Sequence, residues 1–166
     1  MGKLVMIDSQ IFIWGIKEES TALQVANIPY AKAFIDSLNS EDKILLPVPM
    51  LAEVLTPVPV NEHEKILSLI DKRFYVAPFD KLAATKCAEL IHLTLTKEEL
   101  IQYRQEHKIT KNKLKFDCML VAVAITRGVD IIYSEDPDII KFANGFIQVE
   151  KMPIITIQTK MFENIK

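Results

Sequence analysis

Glycine is scarce in this 166-residue chain, which has only Gly2, Gly15, Gly128 and Gly145. No two of them fall in a loop that could cradle a phosphate, so the glycine-rich nucleotide-binding motifs are excluded. Long apolar runs are missing as well. No segment approaches the roughly 20 apolar residues that span a bilayer. The N-terminal MGKLVMIDSQ is interrupted by Asp8 and lacks the core of a secretion signal, which predicts a soluble, cytoplasmic protein with no membrane partner. The two cysteines, Cys87 and Cys118, have neither metal-type spacing nor a disulfide framework, and each lies in an apolar helical pattern where a thiol packs as a small hydrophobe. A reducing compartment suits them. His63, His92 and His107 are too scattered for a zinc motif or a triad, and no serine sits in a nucleophile elbow. Nor is there a strong excess of charge. A formal charge of -2 gives no global attraction to nucleic acid, so such a partner would need a local basic patch.

What is present is a succession of short apolar runs alternating with helical patterns across one domain, residues 1–166. Strands are predicted at residues 3–8, at KILLPV, at FYVAP and at DIIYS, with FIQVE following an Asn144-Gly145 turn and PIITI as a possible final edge strand. Between them, IFIWGI reads as a short helical turn broken at Gly15, followed by an exposed connection through KEESTALQVAN. A helix should run from Pro29 to about Ser40, and PMLAEVL should form a short one ahead of a TPVPV loop. Asn61 with Glu64 resembles a capping box before KILSLI. Asp80 should cap the helix LAATKCAELIHL, with Phe79 as a staple, and Thr96 with Glu99 should cap a second helix reaching about residue 107. HKITKNKLK is expected to be a lysine-rich loop leading into the apolar helix FDCMLVAVAITRG, closed by Gly128. Strands alternating with helices predict an α/β fold: a three-layer α/β/α sandwich around a mostly parallel sheet of about five strands. Ligands of such sheets bind beyond the carboxyl ends of the strands.

Four acids stand at the junctions that feed this edge: Asp8, Glu53, Asp117 and Asp136. Capping explains three of them when each is taken singly. Asp8 and Asp136 precede helical segments, the latter with Pro137 at the first helical position, and Asp117 can serve a helix start. Asp138 would then favour the first-turn dipole. Glu53 is different, because it lies among Met50, Leu51, Val54 and Leu55, where a buried carboxylate is costly unless paired or metal-bound. On a short helix it could instead face solvent. Brought together, the acids would raise each other's pKa values unless cations neutralised them, which points to a divalent metal and to phosphate chemistry.

The order DSQIFIW, LAEVL, then KFDCMLVAVAITRGVDIIYSEDPDI resembles the PIN domain family, including the VapC-type toxin ribonucleases, with a longer segment over residues 94–115 than the compact toxins have. That family carries an Asp after its first strand, a Glu on a short helix, an Asp opening a helix, and a Ser or Thr two residues before a fourth Asp. Asp8, Glu53, Asp117, Ser134 and Asp136 match those positions. The resemblance implies a metal-dependent endoribonuclease acting on single-stranded RNA and leaving a 5′ phosphate. Asp8, Glu53, Asp117 and Asp136 would be catalytic and would hold one or two Mg²⁺ or Mn²⁺ ions, hard cations that suit carboxylate oxygens. Ser134 and Asp138 would support those ligands. Lys111, Lys113 and Lys115, with Lys108 nearby, would contact phosphate unless they form a solvated surface run. Phe116 and Tyr103 could stack bases, although packing is the commoner use of an aromatic, and Trp14 reads as a core or interface anchor. An antitoxin partner and a homodimer also follow from the resemblance. A non-catalytic PIN-fold module that binds RNA or protein is the alternative. A small-molecule phosphatase is disfavoured, because Asp8-Ser9-Gln10 lacks the second Asp of a phosphatase nucleophile motif.

Overall fold

The computed structural model describes residues 2–38, 41–105 and 109–155. Five strands form one sheet: β1 (Leu4–Ile7), β2 (Lys43–Pro47), β3 (Phe74–Ala77), β4 (Ile131–Tyr133) and β5 (Gln148–Glu150). Their order is β3-β2-β1-β4-β5 and every pairing is parallel. The helices are α1 (Ser9–Phe12), α2 (Asn27–Ser37), α3 (Val48–Leu55), α4 (His63–Asp71), α5 (Lys81–Thr94), α6 (Lys97–Gln105), α7 (Ile109–Thr126) and α8 (Pro137–Ala143). They cover the sheet in a three-layer α/β/α arrangement. The continuous apolar runs explain why: β1 and β2 bury side chains on both faces, as central parallel strands must, and β4 buries Ile132 fully with Ile131 and Tyr133 half-buried on its other face.

The local signals mostly act as their chemistry requires. Asp80 accepts a hydrogen bond from the Ala83 N–H at 3.0 Å, capping α5. The Thr96 N–H donates to Glu99 at 2.7 Å and the Glu99 N–H donates to Thr96 Oγ1 at 3.1 Å, the reciprocal box expected before α6. Gly128 and Gly145 both adopt positive φ, +69° and +81°, where a side chain would be strained.

Several expectations are corrected. The helical turn does not break at Gly15: α1 continues through a π turn, Ile13–Lys17, and ends at Glu18 in the left-handed region. Gly15 lets the turn lie close to α2: a Cβ there would press on the flexible end of Ile35, 2.4 Å from Cδ1, and stand 3.3 Å from the Ala31 backbone. Helix α2 begins two residues before Pro29 and ends at Ser37, while Ser40 lies outside the described residues. The Asn61 box does not form, because Pro59 starts a 3₁₀ turn, Val60–Glu62, and α4 begins at His63 without a side-chain cap. No strand forms over residues 153–155, and the rest of PIITI lies outside the described residues.

The largest correction concerns the lysine-rich segment. From Ile109 onward it is not a loop but the first turns of α7, continuous with the apolar helix after it. Lysine is a good helix former, and no Gly or Pro between 109 and 126 stops the helix from extending toward its N-terminus. Further along, Leu120, Val121, Ala122, Val123 and Ala124 are all at most 1% exposed, so this part of α7 is buried on every side. It packs on α5 and α8, and across α3. Cys87 on α5 and Cys118 on α7 are both free and buried, and their sulfurs meet at 3.3 Å across that contact. None of the described helices is long and apolar enough to cross a membrane.

Candidate metal centre

The strand order fixes where a site can form. The chain moves from β1 outward to β2 and β3, then returns to the other side of β1 to lay down β4, so the topological switch point lies between β1 and β4. Both strands end there in polar residues: β1 runs into Asp8, and β4 into Ser134, Glu135 and Asp136. The Asp8 N–H donates to the Tyr133 carbonyl at 3.1 Å, which carries the pairing of the two strands into the site.

Asp8 performs two tasks at once. One carboxylate oxygen caps α1 by accepting from the Ile11 N–H at 3.0 Å, and the other accepts from the Ser134 hydroxyl at 2.7 Å. Ser134, 2% exposed, in turn accepts from the Asp136 N–H at 3.0 Å, so a single hydroxyl ties Asp8 to the start of α8. Burial pushes the Asp8 pKa up and the nearby Asp136 charge adds to this, against the lowering effect of the Ser134 and Ile11 hydrogen bonds.

Asp117, Asp136 and Asp138 form the tightest group, each offering a carboxylate oxygen within 4.8 Å of the others. Helix α7 supplies Asp117 and the first turn of α8 supplies the other two. Asp136 caps α8, accepting from the Asp138 N–H at 2.9 Å. The Lys113 ammonium lies among the three, donating to Asp136 at 2.8 Å, Asp117 at 2.9 Å and Asp138 at 3.4 Å. Desolvation raises the Asp117 pKa to about 6, with Asp136 and Asp138 pushing the same way and Lys113 opposing. For Asp136, desolvation is outweighed by Lys113 and by the α8 backbone N–H groups, and its pKa falls below the ordinary value. Desolvation disfavours the Lys113 charge, yet its bonds to Asp136 and Asp117 leave its pKa raised overall.

Glu53 does not sit in the core as its apolar neighbours suggested. It lies on the exposed face of α3. Its carboxyl group nevertheless stands against Ser9 and beside Asp8. Partial desolvation raises its pKa, the Ser9 hydrogen bond lowers it, and Asp8 raises it further. The structure thus gathers Asp117, Asp136 and Asp138 closely, with Asp8 adjoining Asp136 and Glu53 adjoining Asp8. Asp138, expected only to support the ligands, stands in the closest group itself. Ser9 was also missed, although it directly follows Asp8.

The lysines divide. Lys113 is bound to acids, Lys115 is exposed on α7, the Lys111 side chain and Lys108 lie outside the described residues, and so does His107. Phe116 packs against the core and Tyr103 is half-buried on α6, so the packing reading suits them better than base stacking. His63 contacts the Val58 carbonyl at 2.9 Å and His92 is exposed. Trp14 packs on the core and also lines a cleft of about 690 Å³ with Gln10, Asn27 and Tyr30, which opens beside Asp8 and Asp136.

A parallel α/β sheet with paired carboxylates converging at its switch point defines the class: an acidic-centred α/β domain suited to a hard divalent cation. The PIN domain model matches residues 5–145, and the chain belongs to the PIN domain family. No curated protein matches it. Among solved structures, a chain of VapBC2 from Rickettsia felis, crystallised bound to a DNA fragment from their promoter, has a TM-score of 0.59 at 13% identity and covers 90% of this chain and 99% of that one. DNA-bound VapBC from Salmonella typhimurium gives 0.49 at 18% identity, covering 92% and 100%. At such identities the likeness concerns the fold.

Proposed function

We propose that this protein is a metal-dependent endoribonuclease that hydrolyses phosphodiester bonds of single-stranded RNA. The observation that carries the reading is the convergence of Asp117, Asp136 and Asp138, with Asp8 at their side, on the switch point of a PIN sheet. Their oxygens fit Mg²⁺ or Mn²⁺, and Mg²⁺ in particular keeps several waters and needs only a few carboxylates. Asp8, Asp117 and Asp136 would hold one or two such ions, and Glu53 would be a further ligand or orient the attacking water. Bound there, the metal would supply electrophilic stabilisation of phosphate charge and lower the pKa of water. Ser134 fixes the Asp8 carboxylate, and Asp138 adds charge next to Asp136.

VapBC2, as its description states, is bound to promoter DNA in its crystal. By extension we assign this chain the toxin part of a toxin–antitoxin pair, with a small antitoxin as partner and a homodimer as its assembly. Its buried free thiols suit a cytoplasmic setting. The test is cleavage of single-stranded RNA by pure protein with Mg²⁺ or Mn²⁺, expected to yield 5′-phosphate ends and to stop with chelator. Cleavage that persists unchanged in Asp117→Asn would sink the assignment. A second reading, a PIN-fold module that binds RNA or protein without cleaving, is favoured by one observation: Lys113 already neutralises part of the acidic group. Calorimetry separates the two, because saturable Mn²⁺ binding that is lost in Asp8→Ala counts against the module.

A further inference from the structure

We infer that Lys113 is an internal stand-in cation, holding the place of the divalent metal among Asp117, Asp136 and Asp138 and withdrawing when the metal enters. The inference rests on the metal-site reading above. Its basis is geometric: three carboxylate oxygens within 4.8 Å of one another leave room for one cation at their centre, and the Lys113 Nζ is within 3.4 Å of an oxygen from each acid. An ammonium and a metal ion cannot share that position, because each needs the same lone pairs and the two charges repel.

Helix energetics do not account for the arrangement. On a helix the favourable order places the acid N-terminal to the base, whereas Lys113 and Asp117 have the reverse order. The payoff for placing Lys113 there therefore lies in the acids it meets across α8. A way out is also present. The Lys113 side chain is 53% exposed, so its flexible stem can swing to solvent while the buried Asp117 stays in place.

Such a stand-in has a measurable signature. If the lysine leaves the centre open in about a tenth of molecules, apparent metal affinity is weakened about ten-fold relative to a chain without the competitor. Mn²⁺ is titrated calorimetrically into metal-free wild-type protein, Lys113→Met and Lys113→Gln, the second guarding against a folding defect in the first. The expected result is Mn²⁺ binding about ten-fold tighter in the variants. In chelator the variants should unfold at lower temperature than wild type, with saturating Mn²⁺ closing the gap. Variant affinity equal to or weaker than wild type overturns the stand-in while leaving the metal site intact. Absence of Mn²⁺ binding in all three proteins overturns the metal reading and the inference together.

Discussion

The two sides of the acidic edge are held together by different means. On the β1 side, Asp8 and Glu53 are restrained by hydroxyls, Ser134 on the first and Ser9 on the second. On the α7–α8 side, Asp117, Asp136 and Asp138 are gathered by an ammonium. A hydroxyl orients a carboxylate without cancelling its charge, whereas a lysine does both. The hydroxyl side thus keeps its negative potential and its geometry at once. On the ammonium side Asp136 keeps its bond from the Asp138 N–H, but the three carboxylates repel one another unless a cation stands among them.

Three experiments press on this contrast. Removing the hydroxyl tie should have the largest effect: Ser134→Ala frees Asp8 from Asp136 and is expected to weaken Mn²⁺ affinity by about 10- to 100-fold, the usual range for groups that orient ligands. Ser134→Thr, which keeps the hydroxyl, should restore it, and equal affinity in Ser134→Ala would show that the α1 cap alone orients Asp8. Next comes pH. The folded Asp117 titrates at about 6 against an ordinary 3.8. Between those values the folded chain therefore holds a proton that the unfolded chain has released, and stability falls as pH rises through the window. Metal-free wild type should lose thermal stability relative to Asp117→Asn from about pH 4 to about pH 6 and then level off, as scanning calorimetry at stepped pH would show. A difference that stays constant across the window would place the Asp117 charge in a better-solvated setting. The smallest effect is expected from Asp138→Asn. Its bond to Lys113 is the longest of the three, at 3.4 Å, so Mn²⁺ affinity should change less than in Ser134→Ala. A larger loss would make Asp138 a ligand in its own right.

These contrasts also show where sequence suffices. Short apolar runs bounded by turn residues, such as KLVMI and KILLP, do form buried strands, and Asp80, Thr96 with Glu99, and Gly128 act within a few residues of themselves, so local chemistry reveals them. For Asp8 and Asp136, capping competed with ligation in the sequence, but the two are compatible. A carboxylate has about four lone-pair sites, and the cap uses one of them. Other features depend on contacts the sequence does not encode locally. The direction of Glu53 depends on which face of α3 meets α7, the meeting of Cys87 with Cys118 on α5 packing across α7, and the partners of Lys113 on α8 arriving from 23 residues away. The lysine-rich start of α7 departs from the expected loop for a simpler reason. Charge density suggests a solvated loop, but lysine propagates a helix well once an apolar continuation anchors it.

The burial of α7 has a consequence for how the centre fails. Asp117 stands three residues before the stretch Leu120–Ala124 that is closed off from solvent, whereas Lys113 lies one turn nearer the helix start, where the surface is open. Amide hydrogens from Leu120 to Ala124 should exchange only when the whole domain opens, while those around Lys113 exchange through local fraying. The carboxylate proposed to hold the ion thus belongs to the last part of the domain to unfold, and the ammonium proposed to stand in for that ion belongs to one of the first parts to loosen.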